Sequence, residues 1–201
     1  MKPPPDSKAQ RTTQHILEKA APVFNKRGFA GTTLADITAA TGLTKGGIYG
    51  NFQNKDELAC RAFDHNLQRV VSFIWREMHG ETTVVGQLMA YPRAYRKIFR
   101  ELSDLGGCPI LNTAVDADDT HPELHRLALA AIDRWRNGLM NLVRRGQANG
   151  EIRAEVEPAR VAETIISLVE GGSAMAKATG RVSFMMHALD QIESLISASR
   201  A

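Results

Sequence analysis

Between residues 28 and 58 the chain gathers hydroxyls, amide oxygens, basic groups and glycines at spacings that suit contact with a polyanion. Thr33 stands three residues before Asp36, and Asn54 three before Glu57. Both are capping-box patterns, in which a side-chain oxygen accepts from an orphan backbone N–H and the acid reaches back. Thr44 is a third helix-start oxygen, and the short helix behind it points its partly positive end outward. Lys45 comes next and can reach a phosphate or a guanine edge. Tyr49, one turn further, can donate its hydroxyl to a phosphate. Thr33 and Lys55, at the starts of the flanking helices, are placed to clamp backbone phosphates on either side. Gly46 and Gly47 allow a helix to lie close to a groove wall, at a propensity cost of roughly 1 kcal/mol each. Thr33 and Thr44 would also serve as caps alone, and Tyr49 would alternatively pack on the first helix.

Other reactive side chains are fewer. Cys108 lies in Gly107-Cys108-Pro109, at an expected helix N-terminus, where the dipole favours a thiolate able to meet electrophiles or oxidants. No Lys or Arg neighbours it in sequence, and buried inert cysteine is the common state. His121 and His125 are four residues apart beside Glu123, but capping and solvation account for them and no metal is assigned. Cys108 with His121 lacks an orienting group and a Gly-rich oxyanion loop, so neither an enzyme nor a cofactor is expected.

Elements that would position the first set are legible. Gly42, in Ala40-Thr41-Gly42-Leu43, suits a tight inter-helix turn. Leu34, Ile37, Leu43, Ile48 and Phe52 give apolar faces to two short, steeply crossed helices. That is a helix-turn-helix, whose second helix can enter a major groove of double-stranded DNA. Elsewhere the apolar spacing is helical almost throughout, with no strand-like alternation. A first helix is expected over about Thr12 to Arg27, bent at Pro22. A fourth starts at Asn54, a segment over about Val84 to Leu102 is interrupted by Pro92, and a short helix opens at Cys108-Pro109. Thr120-His121-Pro122-Glu123 reads as a further capping box. Helices after Pro158 and Gly180 complete an all-α chain of about nine helices.

Composition agrees. The 201 residues carry a net charge of +3. Residues 1–60 hold 8 Lys and Arg against 5 Asp and Glu, whereas the remainder is balanced, so the excess sits with the helix-turn-helix. Two distant cysteines argue against a disulfide framework. No apolar run approaches the roughly 20 residues of a membrane span, and MKPPPDSKAQR lacks the apolar stretch of a signal peptide. A cytoplasmic, membrane-free protein is expected, with residues 1–10 a flexible arm.

The span from about Arg11 to Leu58 resembles the DNA-binding domain of TetR-type transcriptional regulators. The resemblance rests on Phe24, Gly28, Thr32-Thr33, Ile37, Gly42, Thr44-Lys45-Gly46, Tyr49, Phe52, Lys55 and Leu58. It implies an all-α homodimer with a three-helix N-terminal reader over 11–56. A larger helical body over 57–201 would dimerise and bind a small-molecule inducer. It further implies a repressor released from a palindromic operator. Gly47 and Gly50 leave fewer recognition-helix side chains than many members carry.

Two groups of residues in that body are candidates for these roles. Met89, Tyr95, Phe99, Cys108, Leu111, Trp135, Leu139 and Met175 would line a pocket for an apolar or aromatic inducer, or be plain core. Ile165, Leu168, Gly172, Ala176, Phe184, Ala188, Ile192 and Ile196 would form a four-helix interface between two copies, or ordinary monomer core. Two alternatives stand beside the inducer-released repressor. One is an electrophile- or redox-sensing repressor acting through Cys108, as in some TetR-type regulators resembling the chain around GCPILNTA. The other is a small-molecule-binding dimer without operator binding.

Overall fold

The computed structural model describes residues 7–201. Among them are nine α-helices: α1 (Lys8–Arg27), α2 (Leu34–Thr41), α3 (Lys45–Tyr49), α4 (Lys55–His79), α5 (Val84–Asp104), α6 (Pro109–Ala117), α7 (Pro122–Ala148), α8 (Pro158–Thr179) and α9 (Ser183–Ala198). The described residues form no strand, only an isolated bridge between Ile152 and Arg200. No helix among them is long and apolar enough to cross a membrane.

Two compact units divide the chain. One holds the described residues up to Gln68 together with Pro109–Ala128, and the other holds Arg69–Cys108 with Leu129–Ala201. The division therefore falls inside α4 and α7 rather than near residue 56, because α6 and the first turns of α7 fold in with the reader helices.

In the first unit α1 begins at Lys8, where Ser7 and Gln10 form a capping box. Residues 8–10, expected in the arm, are thus helical, while residues 1–6 lie outside the described residues. Ile16, Leu17, Ala20 and Phe24 of α1 are buried together with Ile37, Ile48, Phe52, Leu58 and Phe63. Truncating any of the isoleucines would cost about 2–5 kcal/mol. Gly28 ends α1 at φ 73°, a conformation disfavoured for any residue with a Cβ. A Cβ there would also collide with the Asp116 carboxylate, which accepts the Phe29 N–H at 2.6 Å.

The helix start expected from Thr120 is built differently. The Leu124 N–H donates to His121 Nδ1 at 3.1 Å, so His121 is the capping side chain. Its Nε2 meets Asp56 at 3.0 Å, and Thr120 donates to the Asp116 carbonyl. His125 pairs with Asp118.

In the second unit α5 runs unbroken through Pro92, where an interruption was expected. Pro92 is buried in the helix. Packing of its ring offsets the lost hydrogen bond. Leu88, Tyr95, Ile98 and Phe99 of α5 share one apolar cluster with Leu139 and Val143 of α7, Ile165 and Val169 of α8, and Met185, Leu189, Ile192 and Ile196 of α9. Helices α8 and α9 pack so tightly that a Cβ on Gly172 would stand 2.9 Å from that of Ala188.

That packing bears on the expected interface. Ile165, Gly172, Ala176, Ala188, Ile192 and Ile196 are buried within the single chain, so their faces are covered by one another and not open to a second copy. Leu168 is half-buried, and Phe184 is 39% exposed.

Candidate functional site

The reader is held together by caps. Thr33 Oγ1 accepts from the Asp36 N–H at 3.2 Å, and the Asp36 carboxylate accepts the Thr33 N–H and hydroxyl. These bonds, led by the Thr33 hydroxyl and aided by Arg27, hold the Asp36 carboxyl below its ordinary pKa. Gly42 takes the left-handed turn at φ 70°. Thr44 Oγ1 then accepts from the Gly47 N–H at 3.2 Å and opens α3. Ile48 and Phe52 anchor α3 to the core. Asn51 locks it from behind, donating to the Gly47 carbonyl and accepting from Thr13.

What remains outward is Thr33, Thr44, Lys45, Gly46 and part of Tyr49. Lys45 Nζ lies 6.0 Å from the Tyr49 ring centroid. A Cβ on Gly46 would meet only Thr44 Oγ1, at 4.0 Å, and one on Gly47 would make ordinary contacts at 3.5 Å or more. Neither glycine has a positive φ. Neither backbone conformation nor side-chain crowding within the chain therefore requires glycine at either position.

Lys55 differs from the expected phosphate clamp. Its Nζ donates to the Phe29 carbonyl at 2.6 Å and lies 4.2 Å from the Phe29 ring centroid. It braces the turn after α1 and keeps only its remaining N–H groups for another partner.

Residues expected around a ligand are divided between the units. Leu111 belongs to the first, the others to the second. Tyr95, Phe99 and Leu139 are in the apolar cluster, with Met89 and Trp135 packed against it. Met175 is 44% exposed and faces outward. Cys108 Sγ donates to Glu170 Oε1 at 3.0 Å. Burial pushes the Glu170 carboxyl up to about 7, and the Cys108 hydrogen bond opposes that only in part. Glu170 went unmarked in the sequence, where it is one acid at the edge of an apolar stripe. Cys60, in the first unit, is pushed up to about 11 by burial first and then by nearby acids, so its thiol stays protonated.

Comparison with known proteins matches two consecutive spans of the chain. Residues 16–62 match the family described as bacterial regulatory proteins, tetR family, and residues 84–192 match the tetracyclin repressor-like C-terminal domain. The regulator TtgR of Pseudomonas putida is 33% identical over 171 residues, 81% of this chain and 79% of that protein. The chain belongs to the TetR family of transcriptional regulators. The repressor DhaR of a Mycobacterium species is 29% identical over 161 residues, covering 79% of this chain and 78% of its own. A TetR-family regulator from Cytophaga hutchinsonii has the same fold at TM-score 0.91 and 38% identity, over 98% of this chain and 99% of that one. Another, from Chloroflexus aurantiacus, gives 0.89 and 39%, over 96% and 98%. This TetR-family chain is a DNA-binding, ligand-responsive regulator and not an enzyme. Its family binds DNA operators as dimers.

Proposed function

We propose that this regulator is a repressor that grips a palindromic operator as a homodimer and releases it when an apolar or aromatic inducer enters the second unit. The observation that carries the reading is the outward end of α3. There Lys45, the Thr44 cap and two glycines that neither backbone conformation nor crowding requires form a surface with room for a groove wall. In this reading Lys45 and the Tyr49 hydroxyl meet phosphate or a base edge, and Thr33 and Lys55 border the contact. The relative DhaR is a repressor, which supports repression over activation.

Two copies are needed because a short reader makes few contacts. Readers about 34 Å apart would occupy successive major grooves on one side of the duplex. The copies meet through the outer face of α8 and α9: Leu168, Gly171, Met175 and Ala178 from one helix, and Phe184 from the other. These residues follow helical spacing, and all but half-buried Leu168 are exposed in the single chain. An inducer that fills the second unit biases the pair toward a reader separation that no longer fits the operator.

The thiol-sensing alternative is the weaker one. The group that meets the Cys108 S–H is a carboxyl, which opposes a thiolate where a cation would favour it.

Selection of genomic fragments on the purified protein, followed by binding titrations, tests the reading. Lys45→Ala and Tyr49→Ala should each weaken the selected operator about tenfold or more, and Lys45→Ala should lower the slope of log affinity against log salt by about 1. A folded chain that retains no fragment would favour the small-molecule-binding dimer without operator binding.

A further inference from the structure

We infer that the second unit takes an uncharged aromatic ligand carrying a hydroxyl group, which donates to Glu170 and accepts from Trp135. The inference rests on the reading of that unit as the inducer-binding part and names the class of molecule it would take.

Two side-chain atoms among the described residues are buried without a hydrogen-bond partner: Trp135 Nε1 and Glu170 Oε2. One can only donate, and the other is open to accept. Leaving either unmet costs about 1–3 kcal/mol, a cost that a folded chain rarely carries without reason. Both belong to the surroundings of Tyr95. The Tyr95 and Trp135 rings stack with centroids 6.4 Å apart. Burial raises the Tyr95 phenol well above its ordinary value, and Cys108, Glu170 and Tyr91 then add to it through their charges. Trp135 packs against the apolar cluster that holds Tyr95, Phe99 and Leu139, and Glu170 lies near enough to Tyr95 for its charge to act on the phenol.

Charge selects among ligands. An anion would be repelled by Glu170. A cation would satisfy Glu170 but leave the Trp135 N–H with nothing to donate to. A hydroxyl carries both a proton for Glu170 Oε2 and lone pairs for Trp135 Nε1–H, and it buries no net charge. An aromatic body fits the stacking faces of Tyr95 and Trp135. Met89, packed at the edge of the cluster, is a flexible thioether that can move to admit it.

Calorimetric titration of the full-length protein with 2-naphthol, 2-methoxynaphthalene and 2-naphthylmethylammonium decides the matter. Naphthol should bind about tenfold tighter than the methyl ether, since a site built for a hydroxyl rejects the analogue lacking its proton. Naphthol should also bind tighter than the ammonium compound. Trp135→Phe and Glu170→Leu, checked for intact melting transitions, should each shrink the preference for naphthol over the ether. Because a bound hydroxyl favours the ionised carboxyl, naphthol affinity should rise between pH 6 and pH 8, and Glu170→Gln should flatten that rise.

Equal binding of naphthol and its ether, tighter binding of the ammonium compound, or no binding of any of the three would overturn the inference. Operator titrations of the same preparation keep this apart from the wider reading. Operator release by some other compound would leave repression standing while the hydroxyl class fell. Loss of operator binding would sink repression without touching the calorimetric preference.

Discussion

Glu170 carries the sharpest consequence of a single side chain. Its carboxyl titrates at about 7 in the folded chain against an ordinary 4.5, because burial penalises the charged form. The folded protein thus holds a proton that the unfolded chain gives up, and stability falls as pH rises from about 4.5 through 7. Glu170→Gln keeps an oxygen for the Cys108 S–H and removes the titration. The variant should melt higher than the parent at pH 8, by on the order of 1–3 kcal/mol, with the gap closing near pH 5. A gap that is the same at both pH values would mean that Glu170 is ionised in the fold. Cys108→Ser tests its neighbour: inducer response should persist in the variant, whereas a thiol sensor would lose it.

Helices and their joints tell how the reader is braced. The turn after α1 depends on Gly28, whose positive φ and closeness to the Asp116 carboxylate leave no room for a Cβ. Gly28→Ala should lower stability by about 1–3 kcal/mol in chemical denaturation. Asp116→Ala in the same background should recover part of that loss, since it removes the collision but not the backbone strain. The caps of α2, α3 and α4 were legible in the sequence because each closes within three residues, as in Thr33 with Asp36. Joints made at a distance were not. Asp116 is 87 positions from Phe29, and Glu170 is 62 from Cys108, so no local pattern announces either pair. Periodicity likewise shows that α8 and α9 have apolar faces without showing what covers them. The isoleucine face expected between copies turned out to be covered within the chain, because Gly172 lets α9 approach α8 so closely.

Pairing of two chains converts a short reader into a specific one. With the inner faces of α8 and α9 occupied, the exposed Met175 and Phe184 become the side chains that a second copy would bury. Met175→Glu with Phe184→Glu should shift the protein toward monomer in sedimentation velocity and weaken operator binding, with the fold intact because neither residue is in the core. An unchanged dimer would place the interface elsewhere. The geometry of the pair is tested most directly on the DNA itself. Adding five base pairs at the centre of the selected operator turns one half-site about half a helical turn away from the other, so that two linked readers can no longer reach both. Affinity for the lengthened operator should fall about a hundredfold or more and recover in part when ten base pairs are added instead. Equal affinity for all three spacings would contradict the claim that two joined copies of α3 occupy neighbouring grooves.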